Sequence, residues 1–262
     1  MDEQLNANRA LWDELTPINA RSDLYDLPGF LAGQSSLHQP DLDELGPVAG
    51  KALLHLQCHF GMDSLSWARL GAQVTGIDIS PESLKYARQL AQQMRIDAQF
   101  IEADIMAVID TVDQKFDIVF SSTGVLCWLP DIRRYAQTVR HLLKGDGFFY
   151  IFDGHPFRAV LYEDGGGTSP GTIVGDYFRK EPWQYDHMGD YTDPELKVPV
   201  ESYEWHWTMG EIITALCDAG MHIVFLHEFP QYYYNGYTPY DVENDRVELY
   251  PCTFSLKAVP RR

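Results

Sequence analysis

Ala52-Leu53-Leu54-His55-Leu56-Gln57-Cys58-His59-Phe60-Gly61 opens the part of the sequence that decides the fold. Ala52–Leu56 is an apolar run of strand length, a turn ending on glycine follows it, and a helical stretch runs from about Met62 to Leu70. Gly71 stands where a left-handed residue stops a helix. Ala72–Ile77 reads as a second strand. Ser80-Pro81 then joins an N-cap hydroxyl to a proline at the first helical position, where the missing N–H removes no bond. Leu84, Ala87, Ala91 and Met94 recur at helical spacing and give that helix one apolar face.

Working outward, Gln99–Ala103 and Phe116–Phe120 read as third and fourth strands, with a helix expected from about Ile132 to Leu143. Lys144-Gly145-Asp146-Gly147 reads as a turn into a fifth strand, Phe148–Phe152. Strands joined through helices lie parallel, with helices covering both sheet faces. Thr208 and Glu211 form a capping box before a helix carrying Ile212, Ile213, Ala215, Leu216 and Ala219, closed by Gly220. Ile223–His227 is a sixth strand. Thr253–Val259 arrives after Pro230, Pro239 and Pro251 with no convincing helix before it, which predicts an antiparallel last strand. A dehydrogenase sheet would continue with parallel strands and helices.

The 262 residues suit one enlarged domain. Its expected parts are an N-terminal cap (1–50), a cofactor-binding core (51–153), a substrate-side insert (154–207) and a last helix with its strands (208–262). The insert has little periodicity; it holds Gly165-Gly166-Gly167 and eight aromatics between Tyr177 and Trp207. A second cluster, Tyr232, Tyr233, Tyr234, Tyr237 and Tyr240, precedes the last strand. Long insertions after strand C-termini form lids or pocket walls, or pack as a satellite core.

With 20 Lys+Arg against 38 Asp+Glu the formal charge is −18, which opposes binding to a phosphate backbone. The longest uninterrupted apolar runs, Val125–Leu129 and Phe148–Phe152, are far shorter than the ~20 residues of a membrane helix. Met1-Asp2-Glu3 starts no signal peptide. Cys58, Cys127, Cys217 and Cys252 form no CxxC pair and read as reduced thiols of a cytoplasmic protein. His55, Cys58 and His59 invite a metal reading, but they lie on a strand running into a turn and no second Cys/His cluster completes a tetrahedral set. The G-x-S-x-G string Gly167–Gly171 lies in the aperiodic insert and not at a strand-to-helix elbow, and no GxxxxGK loop occurs.

In an open α/β sheet ligands bind beyond the strand C-termini. The second strand ends in Asp78, the third in Asp104 and the fourth in Ser121-Ser122. An acid at the second tip can accept both ribose hydroxyls, and one at the third can accept from an adenine amine. Together with a glycine-containing first loop they describe an adenosine pocket.

These residues resemble those of class I S-adenosylmethionine-dependent methyltransferases, whose sheet is a seven-stranded, doubly wound, Rossmann-like α/β sheet with an antiparallel last strand. The likeness is clearest over residues 50–153, and the Thr208–Val259 ending fits it. It implies S-adenosylmethionine as cofactor and a small-molecule methyl acceptor, with transfer to an O, N or S atom by in-line displacement. Carried over, Leu54–Gly61 is the first-loop motif, with Gln57, His59, Phe60 and Gly61 at the cofactor. Asp78 with Ile79 belongs to the ribose segment, Asp104 with Ile105 to the adenine segment, and Ser121 to the fourth-strand tip. The family's first loop reads acid-x-Gly-x-Gly-x-Gly. Here His55, Gln57 and His59 fill the acid and the first two glycine positions, and only Gly61 remains.

On the acceptor side the candidates are His155, just past the fifth strand, and Tyr203 and His206 in Tyr203-Glu204-Trp205-His206-Trp207, with Tyr177 and Glu228 behind them. A base near its own pKa assists an O or N nucleophile. Trp12 to Leu37 either folds over the cofactor, with Tyr25 in contact, or packs outside. Two rivals remain at this stage, a nicotinamide-dependent oxidoreductase and a non-catalytic interaction module.

Overall fold

The protein is described by a computed structural model that covers residues 2–110, 112–160, 175–186, 188–190, 192–230 and 250–261. Three N-terminal helices, α1 (Asp2–Asn19), α2 (Leu27–Leu31) and α3 (Gln39–Leu45), precede the alternating core. The core runs β1 (Ala52–Leu56), α4 (Met62–Arg69), β2 (Gln73–Asp78), α5 (Pro81–Met94), β3 (Ala98–Glu102), β4 (Phe116–Ser122), α6 (Ile132–Leu142) and β5 (Leu143–Gly154). Four short strands follow: β6 (Trp183–Tyr185), β7 (Met188–Asp190), β8 (Asp193–Val198) and β9 (Ser202–Glu204). The chain closes with α7 (Met209–Asp218), β10 (Met221–Phe229) and β11 (Thr253–Pro260).

The large sheet has the order β10-β11-β5-β4-β1-β2-β3. Pairs among β1 to β5 are parallel, and β11 runs antiparallel to both β5 and β10. The expected doubly wound sheet with an antiparallel last strand is therefore the one observed. Both faces are covered because the strands are apolar on both sides. Leu54, Leu56 and Val119 enter a core shared with α6 and α7, while Leu53, Ile118 and Phe120 enter one built around Trp67 of α4.

Local chemistry sets the helix starts. The Ser80 hydroxyl accepts from Ser83 N at 3.0 Å to cap α5. Thr208 and Glu211 form the expected capping box of α7. The Lys144–Gly147 turn is instead taken into β5 as a break in register: Phe116 faces Leu143 whereas Ile118 faces Phe148. A Cβ on Gly147 would lie 2.8 Å from the Asp117 carbonyl oxygen, and Lys144 Nζ holds Asp117 Oδ1 at 2.8 Å. Close backbone approach plus an ion pair keeps this segment against β4.

The insert forms two small antiparallel sheets, β6–β9 and β7–β8. The Gly165–Gly167 run, Tyr191 and the 232–240 tyrosine cluster lie outside the described residues. Helix α1 lies against both the core and the insert. Thr16 Oγ1 meets Ser83 Oγ at 2.6 Å, while the Asn8 amide donates to the Tyr203 carbonyl at 2.8 Å and accepts from Tyr203 N at 2.7 Å. No described helix is long and apolar enough to cross a membrane.

Candidate active site

Strand order reverses between β1 and β4, and the loop after β1 opens onto that crevice. Gln57, His59 and Gly61 all take left-handed φ values, 56°, 51° and 82°. The three positions at which the family places glycine thus keep glycine-like backbone while two of them carry large side chains. A left-handed non-glycine residue costs about 1–2 kcal/mol, so the bend is held from outside. Cys58 N donates to Ile77 O at 2.9 Å, Gly61 N to Cys58 O at 2.9 Å, and His59 N to Asp78 Oδ2 at 2.7 Å.

Asp78 is the anchor of this arrangement. Its Oδ1 accepts from Ser80 N at 2.9 Å, so the carboxylate ties the first loop to the start of α5. Burial pushes its pKa up to about 6, against the pull of the backbone N–H groups of Ser80, His59 and Ile79. An ionised carboxylate offers about four acceptor positions, so one remains beyond those three donors and the bonds can be shared with ribose hydroxyls. In the same loop, Gln57 Oε1 and His59 Nε2 are buried without a hydrogen-bonding partner among the described residues. Buried polar atoms are normally satisfied, and a bound polar ligand would satisfy these two. The residues present therefore fit a nucleoside with a polar tail.

The large side chains that replace glycine turn away from the backbone bend. Gln57 Nε2 donates to Val125 O at 3.1 Å, bridging the loops after β1 and β4. The His59 ring lies edge-on to Trp12 at 5.0 Å and to Tyr25 at 5.8 Å, with the Tyr25 hydroxyl 3.4 Å from Nδ1. Burial lowers its pKa to about 3, so the ring is neutral. Of the two placements open for the N-terminal segment, the structure has it over the first loop. Replacing Gln57 by glycine removes the backbone strain and the bond to Val125 together, each worth about 1 kcal/mol. Urea unfolding should therefore show a stability within about 1 kcal/mol of the parent.

His55, at the family's acid position, is buried in a hydrogen-bonded row. Ser122 Oγ donates to Asp63 Oδ2 at 2.7 Å and so accepts from His55 Nε2 at 3.1 Å, which leaves Nδ1 to accept from Ser64 Oγ at 2.8 Å. Burial lowers its pKa to about 4. Ser121 turns the other way and bonds the Tyr135 hydroxyl at 2.7 Å inside the core. Phe60 and Ile105 are buried in the two cores flanking the crevice, and Ile79 is half-buried next to Asp78. Asp104 lies just past the tip of β3, where its Oδ1 accepts from Met106 N at 2.8 Å.

The acceptor-side candidates separate into two places. His155 Nδ1 accepts from Phe157 N at 3.1 Å, and Nε2 lies 2.9 Å from Glu228 Oε1. A cleft of about 300 Å³ is lined by His155, Phe157, Tyr177, Tyr250 and Pro251. His206 joins that neighbourhood, with its ring 5.5 Å from Tyr177 and 5.9 Å from Trp183. Burial lowers the pKa of both histidines. Tyr203 stands apart on the α1 side, its hydroxyl donating to Glu201 Oε1 at 2.7 Å, which raises the phenol's pKa.

Asp153, not singled out by sequence reading, holds the loop after β4. Its carboxylate accepts from the backbone N–H groups of Gly124, Val125 and Leu126, and burial raises its pKa. The signal was available: it is a third acid at a strand tip, directly after the apolar run Phe148–Phe152. Trp12, which opens the stretch expected either to fold over the cofactor or to pack outside, lies against both His59 and Trp128 (5.2 Å). No group of His, Cys, Asp and Glu among the described residues is arranged to hold a metal ion.

The methyltransferase domain family matches residues 54–151. A ubiquinone biosynthesis O-methyltransferase of Glaesserella parasuis is 33% identical over 113 residues, 42% of this chain and 48% of that protein. The chain spans about half the length of the curated relatives it matches. The solved S-adenosylmethionine-dependent methyltransferase of Mesorhizobium loti superposes with a TM-score of 0.60 at 24% identity, covering 87% of this chain and 99% of that one. One from Clostridium acetobutylicum gives 0.59 at 14%, covering 98% and 99%. Residues 54–151 of this chain thus match the methyltransferase domain family, and the seven-stranded sheet that holds them has the fold of those solved structures.

Proposed function

We propose that this protein transfers a methyl group from S-adenosylmethionine to a hydroxyl oxygen of a small molecule. The observation that carries the reading is the left-handed 57-59-61 bend tied to a buried Asp78 with acceptor capacity to spare. The choice of oxygen rests on the name shared by the curated relatives, O-methyltransferases of ubiquinone biosynthesis.

Bound in the crevice, S-adenosylmethionine supplies an electrophilic methyl carbon on a sulfonium. The chain's own part is placement, and pre-arranged geometry of this kind is worth up to ~7–11 kcal/mol. Asp78 grips the ribose, and Asp104 with Ile105 borders the adenine. Gly61 lets the chain pass close to the methionine portion, with Gln57 and His59 offering their unsatisfied atoms to its polar end. Residues 1–50 act as a cap, since Trp12 and Tyr25 pack on His59. The insert supplies the acceptor wall, with His206 and Tyr177 beside the cleft at His155. There the imidazole of His155, fixed by Phe157 N and Glu228, orients the acceptor.

A thermal-shift comparison tests this. S-adenosylhomocysteine at 100 times its dissociation constant should add about 2.7 kcal/mol of stability, whereas NADH should add none. Stabilisation by NADH alone would make the protein an oxidoreductase, and silence to both would make it an interaction module.

A further inference from the structure

Glu204 is a carboxylate on the last short strand of the insert. It ends β9, and its side chain has no hydrogen-bonding or ion-pairing partner among the described residues. Its position is set from three sides. Its neighbour Trp205 donates N–H to Cys127 O at 2.7 Å, fastening β9 to the turn that follows β4. Two residues before Cys127, the Val125 carbonyl accepts from Gln57 of the first loop. On the other side His206 packs against Tyr177 of the cleft. The two residues that follow Glu204 thus join the turn beside the crevice, through Trp205, to the wall of the cleft, through His206.

Its surroundings keep it uncompensated. Burial, and after it the Glu204 and Asp153 carboxylates, raise the pKa of the Cys127 thiol. The strand paired with β9 brings Trp183, Gln184 and Tyr185, none of them charged. Gln184 is bonded instead to Glu201. Helix α1 brings Asn8, whose amide is spent on the Tyr203 backbone. Tyr203, on its own strand, bonds Glu201 just before it, and His206 is neutral by burial. Desolvation alone pushes the Glu204 pKa up to about 7. A general base works best with a pKa near the working pH, and the half-buried Glu204 carboxylate has no described cation beside it. Burial lowers the pKa of His155 and His206, which leaves Glu204 the better proton acceptor beside them.

We infer that Glu204 is the general base of methyl transfer, accepting the proton of the acceptor hydroxyl. This rests on the methyl-transfer reading above. As the acceptor oxygen forms its bond to the methyl carbon, the carbon–sulfur bond breaks and its electron pair stays on sulfur, which becomes a neutral thioether. The hydroxyl proton passes to the Glu204 carboxylate and leaves from there to solvent.

The test uses the whole protein as parent, Glu204→Gln and Glu204→Asp. Calorimetric affinity for S-adenosylhomocysteine is read first and should agree among the three within about twofold, since the base does not hold the cofactor. With S-adenosylmethionine and phenol, catechol and benzyl alcohol as probe acceptors, Glu204→Gln should lose about 10²-fold or more in kcat with little change in KM. Glu204→Asp should recover part of the loss. The parent's kcat should rise as pH climbs through about 7, and Glu204→Gln should lack that limb. Infrared difference spectra should show a protonated carboxyl band that titrates in the parent and is missing in Glu204→Gln. Parental kcat in Glu204→Gln overturns the proposal. So does a parent that lacks the titrating band, or one that binds S-adenosylhomocysteine yet methylates none of the probes. A parent that fails to bind S-adenosylhomocysteine defeats the methyl-transfer reading itself, and this inference with it.

Discussion

Asp78→Ala is expected to abolish stabilisation by S-adenosylhomocysteine. Hydrogen bonds to a charged group contribute about 1.5–3 kcal/mol each. Loss of two ribose contacts would thus cost about 3–6 kcal/mol, or roughly 10²–10⁴-fold in affinity. The substitution also strips His59 N and Ser80 N of their acceptor, so a urea titration of the ligand-free protein should show lower stability. Asp78→Asn separates the two effects, because its amide oxygen still accepts one backbone bond while the charge is gone. Calorimetry on both variants decides: near-parental affinity in Asp78→Ala would remove the nucleoside from this crevice.

The same carboxylate predicts a pH dependence. Its folded pKa is raised to about 6 by burial, so the folded protein holds a proton that the unfolded chain has already lost. Ligand-free stability from this group therefore falls as pH climbs from the ordinary carboxylate range to about 6, and is flat above. Cofactor affinity should move the opposite way, strengthening through pH 6 as the ionised acceptor forms.

Gly61→Val carries the second large effect. The residue sits at φ 82°, and an added Cβ would meet Ala87 Cβ at 2.9 Å and Phe100 Cε1 at 3.0 Å. The left-handed conformation costs a side chain about 1–2 kcal/mol, and forcing atoms into a packed site costs about 1–3 kcal/mol. Unfolding in urea should show a loss of about 2–5 kcal/mol relative to the parent. The displaced bend should also weaken S-adenosylhomocysteine binding. A loss under about 1 kcal/mol would mean that the loop can relax away from α5 and β3, and that its backbone path is not fixed.

Much of this arrangement is legible in the residues, for identifiable reasons. Ala52–Leu56 and Pro81–Met94 begin and end where periodicity and the Ser80-Pro81 cap place them. A strand apolar on both faces and a capped helix with one apolar stripe each announce themselves locally. The Lys144–Gly147 segment misleads because its composition is that of a turn, while its conformation answers to the neighbouring strand. The left-handed turns at Gln57 and His59 are hidden for a related reason: their side chains argue against positive φ, and only the bonds from Asp78 and Ile77 to the loop impose it. The insert is the least legible part. Trp183–Tyr185 finds its partner in Ser202–Glu204 across two other strands, and pairing at that separation leaves no local period to read.

The place of β11 between β5 and β10 bears on how the molecule is made. A ribosome delivers residues 253–260 only after both strands they pair with have emerged, yet they form an interior strand bonded along both edges. Until then β10 has no neighbour in the sheet and β5 exposes an unpaired margin. Contacts this distant along the chain slow folding, and an open margin invites mispairing, so a nascent chain stalled before residue 253 is the form most exposed to aggregation.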